Sequence, residues 1–312
     1  MKNFPPFNIS AVKTASRILW VALVSGFVIR WLINHGNEIS DLVSSIGPFH
    51  VVLVVSVTLL GKLVVSEQGR VASELVGHSF SARHMFWMYS SSDIAKYIPG
   101  GIWNALARVK IYRDSGMSTQ ESTRAFTLEK FWQVTGAFFV GVVLLLPGFT
   151  NRLTFSSGNS VLLIVLYMVV IICWVATTLV GNHFIGSHGN LQRAALRAFS
   201  DQIIIAFFLG FGLWIPLDLF TSVDLITAVG AFSLGRAAGY VAIFAPAGIG
   251  VRELVSLWAL GGTTTNGFVV ALGINRLLTT LADFLGFGIA TLWCRPKPFS
   301  ELQRTGEQNV QQ

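Results

Sequence analysis

From Ser160 to Gly181 the chain carries no charged side chain. A helix needs about 20 apolar residues to cross ~30 Å of hydrocarbon, and this stretch meets that length. Comparable runs lie at 16–33, 48–66, 125–147, 199–217 and 268–293. In lipid, only helices and closed barrels satisfy their own backbone hydrogen bonds, and runs this long and unalternating read as helices. The sequence therefore predicts an all-α integral membrane protein with six transmembrane helices. Charged residues make up only 12% of the chain, against roughly 25% in a soluble domain.

The net charge of +7 would point to nucleic acid in a soluble protein. In a membrane chain Lys and Arg first mark cytoplasmic loops, so no nucleic-acid partner is expected. Lys2, Lys13 and Arg17 precede the first run, which is long, holds Arg30 and lacks a small-x-small cleavage site. It reads as a retained helix rather than a signal peptide. Cys173 and Cys294 give neither a disulfide framework nor a metal-ligand spacing, and the six histidines are dispersed. There is no HExxH, Walker A or GxSxG segment. No cofactor, no metal and no enzymatic activity are expected.

Two segments break the pattern. Tyr97-Ile98-Pro99-Gly100-Gly101-Ile102 interrupts residues 84–113, and Ala245-Pro246-Ala247-Gly248-Ile249-Gly250 interrupts residues 225–260. Pro and Gly cannot continue a helix cheaply, and neither pair of arms is long enough for two crossings. Both units read as re-entrant helical hairpins, tipped by Pro99, Gly100 and Gly101 and by Pro246, Gly248 and Gly250. Irregular backbone at membrane depth must be packed in protein or line a wet cavity. Elsewhere, residues 67–83 are expected to form an interfacial helix, 147–159 a loop, and Lys62 to snorkel to the interface.

Crossing parity can be tested against charge. With six spans, two hairpins and the N-terminus inside, the inner segments (1–17, 67–83, 103–125, 182–198 and 294–312) hold 14 Lys and Arg, whereas the outer loops hold only Arg152. This satisfies the positive-inside rule and puts both termini in the cytoplasm. The two tip prolines are 147 positions apart, and the same shift carries each span of the first half onto one of the second. Halves at about 16–147 and 160–294, followed by a short tail 295–312, each read span, span, hairpin, span. Three crossings per half give them opposite orientations. Inverted repeats with broken helices meeting near the midplane are a transporter architecture.

The charges left inside the membrane are Arg30, Lys62, Asp93, Lys96, Glu129, Lys130, Asp201, Arg236, Arg252, Glu253, Arg276 and Asp283. Each needs a partner or a wet cavity, because a central charge costs ~2.5–3.5 kcal/mol on insertion scales. Arg252 and Glu253 directly follow the second tip. Exposed amides at a helix start attract anions, and the planar donor fork of Arg suits phosphate. The expected substrate site is thus Arg252 and Glu253 with Arg236, Arg276, Lys96 and Glu129. The structural alternative is that Arg252 and Glu253 only fix the hairpin. Asp93 and Lys96 are expected to form a local i,i+3 pair, and Glu129 and Arg276, at equivalent repeat positions, to pair across the pseudo-axis.

Pro246-Ala247-Gly248-Ile249-Gly250-Val251-Arg252-Glu253 resembles a Pro-Gly-Gly-Ile-Gly-x-x-Glu segment late in the membrane domain of lysylphosphatidylglycerol synthases and of their stand-alone, flippase-like relatives. Ala247 replaces the first glycine of that pattern. Tyr97-Ile98-Pro99-Gly100-Gly101 and Asn275-Arg276-Leu277 are similar to the same family, and the resemblance covers nearly the whole chain. It implies a polytopic bacterial inner-membrane protein that translocates or binds an anionic lipid, either a phospholipid or a polyprenyl-linked glycolipid. The chain ends at Gln312 without the synthase's soluble domain, so lipid aminoacylation is not expected of it. The rival readings are a non-transporting scaffold for a glycosyltransferase or lipid synthase and, ranked last, an intramembrane lipid-modifying enzyme. Such an enzyme or synthase partner and a homo-oligomer are the protein partners considered beside the lipid.

Overall fold

The computed structural model describes residues 40, 44–98, 102–152, 160–185, 191–242, 245–261 and 266–294. The expected first span at 16–33, the Pro99–Gly101 tip, most of the 34–47 loop and the tail 295–312 lie outside the described residues. Within them the chain is helical and contains no strand.

Helix α1 spans Pro48–Leu75. The sequence divides this region into a span ending at 66 and an interfacial helix at 67–83, but the structure makes it one helix as far as Leu75. No breaker separates the two parts, and the polar residues of the last turns bond one another. Arg70 Nε donates to Glu67 Oε2 at 2.7 Å, and the same guanidinium reaches Glu74. The helix stops where Gly77 takes φ 94°, a left-handed conformation suited to glycine. Helix α2 (Ala82–Asp93) then starts at Ser81, whose hydroxyl accepts from the His84 amide at 3.3 Å. It ends in a 3₁₀ turn, Ile94–Tyr97.

Helix α3 covers Trp103–Asp114 and α4 Thr119–Arg152. A capping box starts α4 six residues before the expected 125: Ser118 Oγ accepts from Glu121 N at 3.2 Å, and Glu121 Oε2 accepts from Ser118 N at 2.8 Å. At its far end α4 runs through Pro147 instead of stopping there, so the first part of the expected 147–159 loop is helical. Helices α5 (Ser160–Ile185) and α6 (Leu191–Phe220, with Pro216 inside) follow. Asp224 caps α7 (Leu225–Val241), accepting from Thr227 N at 2.9 Å. A 3₁₀ turn at Pro246–Gly248, α8 (Val251–Ala259), α9 (Asn266–Ile289) and a π turn (Ala290–Cys294) complete the described chain.

Five of these helices are long and apolar enough to cross a membrane: Pro48–Leu75, Thr119–Gly148, Ile164–His183, Gln192–Phe220 and Asn266–Cys294. They coincide with five of the six expected spans. Ile164, Met168 and Ile172 on α5 are more than half exposed, and apolar exposure continues down that helix. Water would not tolerate a patch of this size on a monomer, but lipid does so at no cost. The protein is an all-α, multi-pass membrane protein.

Helix α7 sits at the centre, packed by α4, α6 and α8. Every residue from Ala228 to Ala237 is buried. At 17 residues it is about 26 Å long, shorter than the hydrocarbon. Phe232 and Ala231 meet Leu213 and Leu217 of α6 and Ala271 and Leu272 of α9 in one apolar cluster. A second close pairing, α1 along α6, flanks it.

Candidate functional site

Two glycines on α7 set the site. A Cβ at Gly235 would stand 2.1 Å from Ser256 Oγ and 2.6 Å from the Arg252 carbonyl oxygen. One at Gly239 would stand 3.3 Å from Arg252 Cβ. This small-xxx-small spacing lets α8 lie flush on α7, with Ser256 Oγ donating to the Ala231 carbonyl at 3.2 Å. Arg252 is thereby pressed against α7, its guanidinium 4.2 Å from the Phe232 ring centroid, a cation–π contact.

The turn before α8 has an unusual backbone. Ala247 adopts φ 51°, ψ 20°, and Gly248 and Gly250 also have positive φ. The Ala247 carbonyl accepts from Arg276 Nη2 of α9 at 2.8 Å. Glu253 turns back to accept from the Gly250 amide at 2.7 Å and lies 3.9 Å from Arg276 Nε. Its carboxylate thus caps α8, and that is the contact its position provides. The Pro246–Gly248 turn packs against the Ile94–Tyr97 turn at the end of α2, so the described flank of the first breaker meets the second breaker.

Around this junction Arg236 and Lys130 converge on Tyr240. Arg236 Nε donates to the Tyr240 hydroxyl at 3.3 Å, and Lys130 Nζ stands 5.2 Å from its ring centroid. Arg236 is 4% exposed, and its Nη2 has no hydrogen-bond partner. Among the described residues, neither Arg236 nor Arg252 has a carboxylate at ion-pair distance.

Behind the cations lies a neutral ring. Lys62 Nζ is 3.1 Å from Asp93 Oδ2 and also pairs with Asp283. Lys96 Nζ lies 2.7 Å from Asp93 Oδ2 and 2.8 Å from Asp283 Oδ2. The Tyr97 hydroxyl donates to Asp283 and reaches Thr280 Oγ1 at 3.2 Å. The expected Asp93–Lys96 pair is present but is half of a quartet. Lys62 does not snorkel: it is buried, because two carboxylates from α2 and α9 face it.

Glu129 and Arg276, expected to pair with each other, do not. Arg108 takes Glu129, Nη1 to Oε2 at 2.9 Å, with both side chains buried. Gln133 Nε2 donates to Glu129 Oε1 at 3.0 Å, and Arg108 Nε donates to Ser92 Oγ at 2.7 Å. The Arg108 guanidinium lies 4.9 Å from the Tyr89 ring centroid. Glu129 is thus spent on an internal ion pair, while Arg276 binds the Ala247 carbonyl. The sequence offered no signal for Arg108, which stands with Lys110 and Arg113 in a segment whose charge reads as topology. Tyr240, which both Arg236 and Lys130 approach, was likewise not singled out.

The structure therefore groups Arg252, Arg236, Arg276 and Lys96 at the breaker junction, with Glu253 at its edge, and assigns Glu129 elsewhere. Pro246, Gly248 and Gly250 form the tip of the α7–α8 pair. Pro99, Gly100 and Gly101 lie outside the described residues. Among the described residues no His, Cys, Asp and Glu group could hold a metal ion. Comparison with protein-family models found no match, and comparison with curated proteins found none either.

Proposed function

We propose that this chain is a stand-alone, flippase-like member of the lysylphosphatidylglycerol synthase membrane-domain family, binding an anionic lipid and carrying it between leaflets of a bacterial inner membrane. The observation that carries this reading is the placing of Arg236 and Lys130 on Tyr240, with Arg252 pressed on the same helix, where the described flank of the first breaker meets the second. A buried cation group with too few carboxylates is costly in lipid and becomes favourable once an anion enters. Arg offers a phosphate two parallel donors, while acyl or prenyl tails stay in the bilayer beside the exposed apolar faces.

The finer architecture belongs to the same proposal. It has six spans with both termini cytoplasmic, the α2–α3 and α7–α8 pairs as opposed re-entrant hairpins, and halves related by an inverted repeat. Supporting it are the helix breaks at both units, the shortness of α7 and the charge asymmetry of the loops. On this reading the polypeptide moves or holds lipid and does not modify it.

The test is transport in proteoliposomes. Purified protein should move labelled anionic phospholipid or polyprenyl-phosphate lipid across the bilayer, and Arg252→Ala should abolish movement without loss of folded protein. No movement of either lipid, with a glycosyltransferase or synthase co-purifying instead, would favour a scaffold. Topology is tested separately: a cysteine at Thr264 should label from outside, and a reporter after Gln312 should report cytoplasm.

A further inference from the structure

The charge count at the breaker junction narrows the ligand. Lys62 and Lys96 are matched by Asp93 and Asp283. Arg276 has Glu253 beside it, and Arg108 has Glu129. Lys130, 3.8 Å from a Glu129 carboxylate already engaged by Arg108, is left over, as are Arg236 and Arg252. The site thus holds three more cations than carboxylates. Arg236 adds an independent mark of a missing partner, since its Nη2 is buried and makes no hydrogen bond.

A phosphodiester head group brings one negative charge and would leave most of that excess unmatched in a low-dielectric setting. We infer that the site recognises a phosphate group bearing at least two negative charges, a phosphomonoester or a diphosphate, in preference to a phosphodiester. The inference rests on the anionic-lipid reading and adds to it the class of head group. Two arginines without an ion-pair partner, Arg236 on α7 and Arg252 on the α8 packed against it, would meet the second charge. Tyr240 holds Arg236 in place through its hydroxyl.

Binding to the full chain in neutral phosphatidylcholine nanodiscs tests this. Short-chain phosphatidic acid supplies the phosphomonoester, short-chain phosphatidylglycerol the phosphodiester, and inorganic pyrophosphate the charge without a lipid. Phosphatidic acid should bind at least about tenfold more tightly than phosphatidylglycerol, the ratio that ~1.4 kcal/mol of extra interaction gives. Arg252→Gln should bring the two affinities together, and Arg252→Lys, which keeps the charge, should retain most of the ratio and report on folding. Pyrophosphate displacing phosphatidic acid only at higher concentration identifies a lipid head group as the source. Pyrophosphate binding as tightly as the lipid identifies the free anion, and it supports the charge inference while removing the lipid. Equal affinity for phosphatidic acid and phosphatidylglycerol overturns the inference and leaves the anionic-lipid reading intact. Binding of neither lipid nor pyrophosphate overturns both.

Discussion

The Arg108–Glu129 pair permits an asymmetric prediction about stability. Arg108 has one carboxylate, the hydroxyls of Ser92 and Tyr112, the Tyr89 carbonyl and the faces of Tyr89 and Tyr112. Glu129 has Arg108 but also Gln133 at 3.0 Å, the Tyr112 hydroxyl at 3.4 Å and Lys130 at 3.8 Å. Glu129→Leu therefore leaves a buried guanidinium, 1% exposed, with no counter-charge, and should cost ~3–5 kcal/mol, the range for breaking a buried pair. Arg108→Met leaves the carboxylate with three partners and should cost less, ~1.5–3 kcal/mol, as for one hydrogen bond to a charged group. The double variant removes both charges and should lie closer to wild type than Glu129→Leu alone. Reversible unfolding in detergent, followed by steric trapping or by SDS titration, reads these free energies directly. Equal costs for the two single variants, or a double variant as unstable as their sum, would refute the claim that these two side chains serve mainly to neutralise each other.

Three other outcomes follow from the same geometry. Gly235→Val should push α8 away from α7, because even a Cβ there falls 2.6 Å from the Arg252 carbonyl oxygen; anionic-lipid binding should fall with the protein still monodisperse, and unchanged binding would count against flush packing as the device that places Arg252. Ala247→Gly should stabilise the protein by up to about 1 kcal/mol, because a left-handed conformation costs Ala roughly 1–2 kcal/mol that Gly avoids, less the extra chain entropy of Gly; measured stability below wild type contradicts it. Lys62→Met should destabilise by ~3 kcal/mol or more, as loss of one partner from a buried ion group does, and Lys62→Arg by less; a neutral Lys62→Met in the same unfolding assay restores the snorkelling interpretation.

Much of the helical layout was legible because lipid enforces it. Runs long enough to cross and the break at Pro246 are one-dimensional signals. The errors came where a polar residue's partner lay on another helix. Glu67, Arg70 and Glu74 suggested a surface segment, yet they satisfy each other and let α1 continue. Pro147 suggested a stop, but a proline near a helix end in lipid can be accommodated by neighbours. Lys62 looked interfacial because position along a span does not show that Asp93 and Asp283, 31 and 221 residues away, face it. At the site, Arg252, Arg236 and Arg276 were legible as charges too costly to be idle. Which of them had carboxylates was not, since ion pairing depends on helix crossing and rotation that no local pattern encodes.

The bond between Arg276 and the Ala247 carbonyl has a mechanical consequence. A neutral acceptor holds this arginine at 2.8 Å, and it belongs to a residue in a strained backbone conformation. An anion of the proposed kind would compete for the guanidinium against this carbonyl and a carboxylate 3.9 Å away, and drawing Arg276 away would free the peptide to relax. On the anionic-lipid proposal, occupancy of Arg276 and the shape of the turn would be linked in both directions: whatever relaxed the turn would strengthen the hold on the anion by the same factor.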